Sequence, residues 1–422
     1  MREINANEFK EVTGSGSPVL VDFYSTECPP CEALFPKLDS LEKLFEGEMT
    51  FVKIFRQGNR DLAESLGVKS SPTLLFYDGG REVCQRLAGG IKRSDIIREI
   101  GHVTGRDKVD KIMSAVEPVV THTDVAILGA GPGGLTAGLY LCQAKIDTTL
   151  IDVALPGGYV ATTHMISNYP GFIEPQPGYM LSHNMSEQTK RCGTVYKVAV
   201  DVTRIDLEKK EIVIDEYETV KAKKIIIATG TTPRKLNIPG EQEYMGKGIS
   251  YCATCDAKYF NDKEVVIIGG GNSAIEESAF ISKFASKITI VHQFDRLQAN
   301  KAAQEKAFAD KKISIMFEHE PRAFRRKGDT MEVNVEELKT GNRNTLETDG
   351  IFVFIGLVPN LSMFGDKLGT DQWGYVKVNE DMQTNIDGVY SVGDVNSKKY
   401  RQITTAVADG TIAAIAITRE LE

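Results

Sequence analysis

The stretch 124–152, DVAILGAGPGGLTAGLYLCQAKIDTTLID, decides the fold of this 422-residue chain. An apolar run, a glycine turn, a helical pattern of small residues and a second apolar run follow one another. Gly129, Gly131 and Gly134 have the GxGxxG spacing that lets a chain turn tightly and approach a pyrophosphate at a helix N-terminus. Asp152, 23 residues after Gly129, is placed to accept a hydrogen bond from a ribose hydroxyl. The stretch therefore predicts a βαβ unit that binds a dinucleotide.

The same pattern returns 140 residues later in the chain. Residues 263–292, KEVVIIGGGNSAIEESAFISKFASKITIVH, again combine an apolar run, a glycine turn, a helical pattern and a second apolar run. A lone glycine motif is weak support for nucleotide binding, but both copies have the required strand, turn and helix context. The residues predicted to form or border the second turn are Gly269, Gly271, Asn272, Ser273, Ala274 and His292.

The last part of the chain completes the first unit in our interpretation. That unit resumes at 349–360, DGIFVFIGLVPN, so the second unit is inserted into the first. The motif SVGDV at 391–395 follows a strand, and its aspartate is placed to bind a hydroxyl of a flavin's sugar chain. A helix then opens at 401–410, RQITTAVADG, with its N-terminus toward the flavin ring. The residues predicted to bind FAD are Gly129, Gly131, Pro132, Gly133, Gly134, Asp152, Gly393, Asp394, Arg401, Gln402 and Ile403.

Residues 1–103 form a separate unit. Strand patterns at 17–25 (SPVLVDFYS) and 49–55 (MTFVKIF) flank a helical pattern that starts at CPPCEALF. PTLLFYDGG and REVCQRLAGG then predict a hairpin. Strands and helices that alternate before a closing hairpin indicate a mixed sheet. The charged stretch 104–122 is interpreted as a partly helical linker that ends near Pro118.

Composition narrows the class of protein. The net charge of −8 and the pI of about 5.5 disfavour nucleic acid or an anionic membrane as the main partner. No apolar run reaches the roughly 18 residues that a membrane-spanning helix needs. The opening MREINANEFKEV lacks the apolar segment of a signal peptide. We therefore expect a cytoplasmic protein whose cysteines are normally reduced.

Four of the seven cysteines form two CxxC pairs, Cys28–Cys31 and Cys252–Cys255. In a reducing compartment such pairs are typical of redox catalysis or metal binding. More than 200 residues separate the pairs and no histidine stands at ligand spacing, so we expect no metal centre. The other three, Cys84, Cys142 and Cys192, stand alone and are interpreted as small buried hydrophobic residues.

A dithiol that reduces a disulfide acts through a thiolate, so its pKa must be lowered. Cys28 precedes a helical pattern, and a helix N-terminus has this effect on the pKa. Cys31 lies one turn later, near enough to resolve a mixed disulfide. Asp22, inside the strand VLVDF, is expected to be buried with a raised pKa and to relay a proton. Further candidates near the sulfurs are Lys53 and Pro72, whose bond to Ser71 is a candidate cis peptide.

On these residues, 1–103 resembles thioredoxin: VLVDFYSTECPPC, then Pro36 in the helix, then SPTLLF. The resemblance implies attack on disulfides by Cys28, resolution by Cys31, and roles for Asp22, Lys53 and Pro72. Two positions depart from the family. Glu27 stands where the family has tryptophan, and Pro29–Pro30 stands where it has Gly-Pro. Both changes are expected to alter the reduction potential and the choice of partner.

Residues 123–422 resemble low-molecular-weight bacterial thioredoxin reductase along nearly their whole length. The motifs that carry the resemblance are GAGPGG, YCATCD, GGGNSA, SVGDV and YRQITTA. The resemblance implies that Cys255 lies beside the flavin and exchanges electrons with it, that Cys252 attacks the thioredoxin disulfide, and that Asp256 is the general acid–base. It also implies FAD, a homodimer and a large rotation of the inserted domain.

These observations predict an α/β fold: a thioredoxin fold followed by two Rossmann-like domains of FAD and NAD(P) type, the second inserted in the first. The predicted domains are a thioredoxin-like domain at 1–103, a linker at 104–122, an FAD-binding domain at 123–238 and 349–422, and an NAD(P)-type domain with the CATC dithiol at 239–348. The predicted activity is that of a thioredoxin reductase fused to its own thioredoxin, which passes electrons on to protein disulfides.

The residues expected to bind the electron donor depart from the family pattern. Members that use NADPH carry HRRxxxR after the second strand, whereas residues 292–298 here read HQFDRLQ. Losing two charge-assisted hydrogen bonds costs roughly 3–6 kcal/mol, so we expect NADPH to be a poor donor. NADH is favoured because the glycine turn is intact, although its usual acid is absent at His292 unless Asp295 substitutes. A ferredoxin-like protein that reduces the flavin directly is the alternative donor.

Two other functions stay open at this point. The chain could supply electrons to a peroxiredoxin, since the flavoprotein subunit of alkyl hydroperoxide reductase also fuses thioredoxin-like material ahead of a similar reductase. That family has two thioredoxin folds in front, where about 103 residues here hold only one. Alternatively, the N-terminal domain is a docking module that never cycles, which the complete set of CPPC, Asp22 and Pro72 disfavours.

Overall fold

The structure is a computed structural model that describes residues 1–163, 165–166 and 168–422. It divides into two compact units. The first unit consists of Met1–Gly158, Ser182–Thr229 and Leu361–Glu422, and the second of Tyr159–Leu181 and Gly230–Asn360. The first unit therefore holds the N-terminal domain and the first nucleotide fold, and the second holds the repeat of that fold.

The N-terminal domain alternates strands and helices around a mixed sheet. Its strands are β1 (Arg2–Glu3), β2 (Val19–Tyr24), β3 (Thr50–Phe55), β4 (Thr73–Asp78), β5 (Arg81–Glu82) and β6 (Leu87–Ala88). Its helices are α1 (Ala6–Thr13), α2 (Pro29–Leu44), α3 (Arg60–Ser65), α4 (Arg93–Thr104) and α5 (Arg106–Ser114). The sheet order is β1-β3-β2-β4-β5, with β6 also paired to β4. Central β2 is parallel to β3 and antiparallel to β4, and its first five residues are buried, which explains its continuous apolar sequence.

The segment expected to be a linker is largely regular structure. Helix α5 occupies nine of its residues, and buried Val109 joins the core cluster that contains Ile96 and Ile100 of α4. Strand β7 of the next domain already begins at Val119. A single buried valine among charged residues was too weak a pattern to show that this helix packs on the domain before it.

The first nucleotide fold has a central parallel sheet. Its strands are β7 (Val119–Leu128), β8 (Thr148–Asp152), β9 (Val195–Val198), β10 (Val202–Asp206), β11 (Glu211–Ile214) and β12 (Glu218–Ile227). Its first helices are α6 (Pro132–Gln143) and α7 (Gly178–Cys192). The order β10-β11-β12-β7-β8-β9 places β7 between β12 and β8, and all three are parallel. The glycine turn therefore leaves the carboxyl end of a central strand, where such folds bind ligands.

The second unit repeats this arrangement. Its strands are β13 (Thr231–Pro233), β14 (Ile249–Ser250), β15 (Glu264–Ile268), β16 (Lys287–His292), β17 (Ile313–Phe317), β18 (His319–Lys327), β19 (Thr330–Glu337), β20 (Arg343–Thr348), β21 (Gly350–Val353) and β22 (Leu357–Pro359). Its helices are α8 (Glu241–Tyr244), α9 (Ala253–Asp256), α10 (Asn272–Ile281) and α11 (Lys301–Ala309). A parallel sheet of order β14-β21-β15-β16-β17 stands beside an antiparallel sheet, β18-β19-β20.

The chain then returns to the first sheet. Strand β23 (Val389–Ser391) pairs in parallel with β12, whose residues precede the whole second fold in sequence. This pairing confirms the predicted fold class, in which one Rossmann-like domain is inserted in the other. The predicted return at residue 349 is wrong, because Gly350–Val353 pairs with β15 inside the second sheet. An apolar strand pattern shows burial but not which sheet the strand joins.

Helix α12 (Ile403–Leu421) closes the first fold and packs against α6. A Cβ at Gly410 would lie 2.3 Å from the carbonyl oxygen of Gly133, so the two helices approach to backbone contact. This contact brings the start of α12 next to the first glycine turn. Although α12 is 19 residues long, no helix formed by the described residues is both long and apolar enough to cross a membrane.

Candidate active site

The first glycine turn is shaped by steric contact. Gly129 has φ +111°, and a Cβ there would lie 2.2 Å from the carbonyl oxygen of Ala228. A Cβ at Gly134 would lie 2.0 Å from the carbonyl oxygen of Gly129. At Gly131, by contrast, an added Cβ would meet no described atom within 4 Å. The turn is therefore closed toward the protein and open on the face where a pyrophosphate would approach the N-terminus of α6, which starts at Pro132.

Asp152 holds this turn in place. Its Oδ2 accepts a hydrogen bond from the N–H of Ala130 at 2.6 Å, and its Oδ1 accepts from Ala154 at 2.8 Å. Burial raises the pKa of Asp152 against the effect of these two donors. The carboxyl group thus ties the end of β8 to the glycine turn, and its contact with a ribose stays a prediction.

The residues of the SVGDV and YRQITTA motifs fit a flavin nucleotide. Oδ1 of Asp394 is buried and has no hydrogen-bond partner among the described residues, and Lys398 Nζ lies 3.8 Å from it. An orphaned carboxylate oxygen at this place would be satisfied by a ligand hydroxyl. Gly393 donates its N–H to Asp409, Arg401 donates to the carbonyl oxygens of Asp394 and Asn396, and Gln402 and Ile403 are the N-cap and first residue of α12.

The second glycine turn has the same shape. Gly269 has φ +129°, a Cβ there would lie 2.1 Å from the carbonyl oxygen of Phe354, and Gly271 is open to solvent. Ala274 is buried, and Asn272, the first residue of α10, accepts a hydrogen bond from the N–H of Asn300 at 2.7 Å. Ser273 is exposed next to it. The turn can thus hold a second nucleotide in the same way.

His292 lies beneath this turn. Its ring is 4% exposed and would be 2.5 Å from a Cβ at Gly270, and Nε2 is 3.1 Å from the carbonyl oxygen of Arg296. Burial lowers the pKa of His292, so the neutral imidazole is favoured. The side chain shapes the turn, and its predicted direct contact with a cofactor stays a prediction.

Cys28 and Cys31 form a disulfide at the start of α2. Cys28 is the N-cap residue, and its Sγ accepts a hydrogen bond from the N–H of Cys31 at 3.3 Å. The same sulfur lies 3.5 Å from the carbonyl oxygen of Ser71, and the Ser71–Pro72 bond is cis, as the sequence suggested. Cys28 is only 8% exposed, whereas Cys31 is half-buried.

A buried carboxyl group lies in the strand before this dithiol. Asp22 is 6% exposed, and its Oδ1 has no hydrogen-bond partner in the described part of the chain. Burial raises the pKa of Asp22 to about 7, although the charge of Lys53, its neighbour on β3, acts in the opposite direction. Lys53 itself is 3.5 Å from Glu3 and lies over the ring of Tyr24. The structure therefore agrees with the predicted burial and raised pKa of Asp22.

The dithiol-bearing helix α2 contacts the first nucleotide fold. Lys37 Nζ donates to the carbonyl oxygens of Ile91, Val198 and Ala199 at 2.9, 3.1 and 2.6 Å. Burial lowers the pKa of Lys37 to about 8. This contact could not be predicted from the sequence, because a lysine on a helix normally points to solvent.

Charged contacts surround this lysine. Glu32, the residue after Cys31, forms an ion pair with Lys190 of α7. At the start of α4, Lys92 Nζ lies 2.8 Å from Asp201, and Ser94 donates to the same carboxylate. We call Glu32, Lys37, Lys92 and Ser94 the docking face of the N-terminal domain.

Cys252 and Cys255 form the second disulfide, at the start of the short helix α9. Cys252 is again the N-cap, and its Sγ accepts from the N–H of Cys255 at 3.2 Å. Cys255 is exposed, and Cys252 and Asp256 are half-buried. Ser250, which sequence reasoning missed, accepts a hydrogen bond from the N–H of Cys252 at 3.1 Å and donates to its carbonyl oxygen at 3.2 Å.

The remaining cysteines are not simple core residues. All three are half-buried, and Cys142 and Cys192, which stand 50 residues apart in sequence, are neighbours in space. Cys84 lies near Glu99 and His102, and one potential ligand atom from each of the three lies within 4.8 Å of the others. Glu99 already accepts hydrogen bonds from Arg98 and is bonded to His102, so this group is a hydrogen-bonded network.

Comparison with known proteins agrees with this geometry. A family model described as pyridine nucleotide-disulphide oxidoreductase matches residues 123–410, and a thioredoxin model matches residues 1–102. Thioredoxin reductase of Peptoclostridium acidaminophilum is 41% identical over 306 residues, which cover 71% of this chain and 97% of that protein. Thioredoxin reductase of Bacillus subtilis (strain 168) is 39% identical over 301 residues, covering 71% and 95%.

A solved structure shows the same fold. Thioredoxin reductase of Lactococcus lactis, described as in the FR conformation, superposes with a TM-score of 0.67 at 38% identity and covers 70% of this chain and 98% of that chain. The matches to reductases cover the two nucleotide folds with the CATC disulfide, and the thioredoxin model covers the domain with CPPC. The chain therefore belongs to the pyridine nucleotide-disulphide oxidoreductase family, as an FAD-dependent enzyme of the thioredoxin reductase type with a thioredoxin domain in the same chain.

Proposed function

We propose that this flavoenzyme uses NADH in preference to NADPH to reduce the Cys252–Cys255 disulfide. The resulting dithiol then reduces Cys28–Cys31 of the fused thioredoxin domain, which in turn reduces disulfides of other proteins. The observation that carries the proposal is the presence of two vicinal disulfides at helix N-termini in one chain, one of them with an exposed sulfur at Cys255. The final substrates are disulfide-containing proteins, and a homodimer is part of the proposal.

The residues of the first nucleotide fold would hold FAD. Gly131 leaves room for its pyrophosphate at the start of α6, and the orphaned Oδ1 of Asp394 would bind a hydroxyl of its sugar chain. The N-terminus of α12 places partial positive charge nearby. When bound, FAD supplies the two-electron chemistry that connects a nicotinamide donor with a disulfide. The domain boundary between residues 238 and 239 is part of this proposal, while the end of the second domain is moved from 348 to about residue 360 and the return to the first fold to about 361.

The sulfur chemistry follows thiol–disulfide exchange. The Cys252 thiolate attacks one sulfur of Cys28–Cys31, a mixed disulfide forms, and the other sulfur leaves as a thiolate. Cys255 then attacks Cys252, which releases the thioredoxin domain with both sulfurs reduced. Asp256 is proposed as the acid–base group for Cys252 and Cys255. The buried carboxyl of Asp22, with a pKa raised to about 7, is proposed to move a proton to or from Cys31 near neutral pH.

The preference for NADH is argued from charge at the second turn. The residues after β16 that would meet a 2′-phosphate include exposed Gln293, Phe294 and Asp295. His292 is buried and its pKa is lowered, so it adds no positive charge. Lys339 lies near Asp295, but its ammonium group is already ion-paired with Glu318 at 2.6 Å. Arg296 is exposed but stands out of register with the arginines of the family motif, so a dianionic phosphate would find little charge compensation here, whereas a ribose diol could bind Asp295.

Anaerobic reduction of the full-length holoenzyme tests the donor. The protein is mixed with NADH, NADPH or a reduced ferredoxin, flavin absorbance is followed, and thiols are alkylated and mapped. We expect NADH to bleach the flavin and to yield alkylated cysteines in both CxxC pairs at concentrations where NADPH does neither. Rapid bleaching by low-micromolar NADPH contradicts the donor preference, and bleaching by ferredoxin alone supports the alternative donor.

An engineered variant makes this test sharper. Gln293→Arg combined with Phe294→Arg restores two cations at the edge of the nucleotide site and should improve reduction by NADPH roughly 10²-fold, as two charge-assisted hydrogen bonds allow. Ser286→Arg adds one positive charge at an exposed position before the other end of β16 and should leave reduction by both donors unchanged. Equal gains in the two variants would show that the effect is general electrostatics.

One observation favours the alternative in which the thioredoxin domain only docks. Cys28 is 8% exposed, and the docking face beside it is engaged with the first nucleotide fold. For the proposed relay the domain must leave this position before Cys28 can react with a large partner. Insulin or peroxiredoxin reduction that survives Cys28→Ser with Cys31→Ser would favour the docking role, and its loss would favour the relay.

A further inference from the structure

The cysteines outside the two CxxC pairs include a close pair in the first nucleotide fold. Cys142 is the penultimate residue of α6, and Cys192 is the last residue of α7. Cys142 Sγ lies 2.6 Å from the carbonyl oxygen of Cys192, and Cys192 Sγ lies 3.8 Å from the carbonyl oxygen of Leu139. Each thiol thus reaches the backbone of the other's helix.

The Cys142 sulfur lies beside the end of α7. A Cβ at Gly193, the residue after Cys192, would be in van der Waals contact with Cys142 Sγ at 3.5 Å. Both cysteines are half-buried, which leaves them accessible to a small reagent. Cys84, by contrast, has its Sγ 3.6 Å from the carbonyl oxygen of Glu99 and is grouped with Glu99 and His102.

We propose that Cys142 and Cys192 form a third, reversible disulfide that ties the C-terminal ends of α6 and α7 together. This site lies outside the relay of the proposed function and does not depend on it. The oxidant is a low-molecular-weight disulfide, whose reduction to two thiols balances the loss of two electrons and two protons from the pair.

The exchange has two steps. The Cys142 thiolate attacks the small disulfide, forms a mixed disulfide and releases the first small thiol. Cys192 then loses its proton and attacks the Cys142 sulfur, which forms the Cys142–Cys192 bond and releases the second small thiol. Cys142 is assigned the first attack because its proximity, together with burial, raises the pKa of Cys192.

The proposed bond would join two helices that border other functional parts of the chain. Helix α6 begins at the first glycine turn, and α7 carries Lys190, whose partner Glu32 follows the CPPC motif. Oxidation would fix α7, whose Lys190 contacts the docking face, to α6, whose N-terminus would hold the pyrophosphate. The thiol–disulfide balance of the surroundings would therefore determine whether α6 and α7 are covalently joined.

Alkylation and peptide mapping of the full-length holoenzyme test the proposal. When both CxxC pairs are oxidised, three thiols remain for alkylation, and a third disulfide would leave only that of Cys84. After incubation with oxidised glutathione, we expect one alkylated cysteine per denatured chain and a tryptic peptide in which 112–145 is joined to 192–197. Dithiothreitol should separate the two peptides.

Three variants serve as controls. Cys142→Ser and Cys192→Ser should each abolish the joined peptide and leave the remaining partner alkylated, while Cys84→Ser should keep the joined peptide. The proposal is overturned if wild-type Cys142 and Cys192 stay alkylated at every oxidant concentration that oxidises both CxxC pairs. It is also overturned if they carry only glutathione adducts and never the joined peptide. Both outcomes are read from the wild-type protein, so a variant that fails to fold does not affect them.

Discussion

The two CxxC sites share their local geometry and differ in their surroundings. In each, the first cysteine caps a helix and accepts the N–H of the second, at 3.3 Å for Cys28 and 3.2 Å for Cys252. The helix behind Cys28 is 16 residues long, and the one behind Cys252 is four. Cys28 lies 8% exposed near a buried carboxyl group, whereas Cys255 is exposed beside a half-buried Asp256. Identical spacing thus gives two sites that can handle protons and partners differently.

The largest expected effect comes from removing either pair. We expect Cys252→Ser with Cys255→Ser, and separately Cys28→Ser with Cys31→Ser, to lower insulin reduction by roughly 10³-fold or more, because exchange needs both sulfurs of a pair. The two variants differ in one respect. With donor present, alkylation should show oxidised Cys28–Cys31 in the first variant and reduced Cys252–Cys255 in the second. Reduced Cys28–Cys31 in the first variant would show that CATC is not its source.

A second prediction concerns the buried carboxyl group that only the first site has. Asp22→Asn should slow insulin reduction roughly 10–100-fold at neutral pH, as expected for loss of a general acid–base group. The same change at Asp256 should affect reduction of Cys28–Cys31 but not the reaction of that dithiol with insulin. Single-turnover kinetics with the prereduced protein separates the two steps. Equal effects of both changes on the insulin step would show that Asp22 and Asp256 do not act at different steps.

Asp22 also predicts how stability depends on pH. Its pKa rises from an ordinary 3.8 to about 7 on folding, so the folded state binds more protons between these values. The contribution of Asp22 to stability is therefore largest below about pH 4, falls as the pH rises toward 7 and is constant above that. Asp22→Asn removes this loss and should stabilise the oxidised protein by about 2–4 kcal/mol at pH 8, with little change at pH 4. Thermal unfolding at the two pH values checks this, and a pH-independent shift contradicts it.

A smaller effect is expected from a substitution in the docking face, which belongs to the domain that carries Cys28–Cys31. Lys37→Met removes two hydrogen bonds to carbonyl groups of the first nucleotide fold and one to Ile91 of its own domain, at roughly 1 kcal/mol each or less when water replaces them. If the domain must leave this position, insulin reduction should become about 3–10-fold faster. Lys43→Met is the matched control, because Lys43 lies on the same helix but is exposed and forms an ion pair with Asp39 of that helix. A slower reaction in Lys37→Met would mean that the docked position is productive.

The smallest effect is expected at Ser250. Ser250→Ala removes the hydroxyl that bonds both the N–H and the carbonyl oxygen of Cys252. Loss of about 1 kcal/mol of positioning predicts a two- to fivefold fall in the rate of Cys28–Cys31 reduction. The flavin bleaching rate with NADH should fall less, since Ser250 contacts neither glycine turn in the structure as described. An unchanged rate would show that the four-residue helix positions Cys252 without this hydroxyl.

Much of the site could be predicted because its chemistry lies in short, contiguous motifs. The glycine turns at 129–134 and 269–274 follow strands whose apolar sequence is unambiguous, and both have the predicted shape. The burial of Asp22 followed from its place inside an apolar strand. Strand β21 was assigned to the wrong domain, because an apolar run shows that a strand is buried but not which strands it pairs with.

The local sequence was enough to identify the elements: two CxxC pairs at helix starts, two glycine turns after strands, and an α/β alternation that indicates the fold class. Tertiary structure alone decided which distant residues meet. It placed Lys37 on the carbonyl groups of another domain, His292 beneath its glycine turn, and Cys142 beside Cys192 across 50 residues of sequence. The physical reason is that local patterns fix backbone conformation and burial, whereas contacts between remote side chains depend on how whole helices and sheets pack.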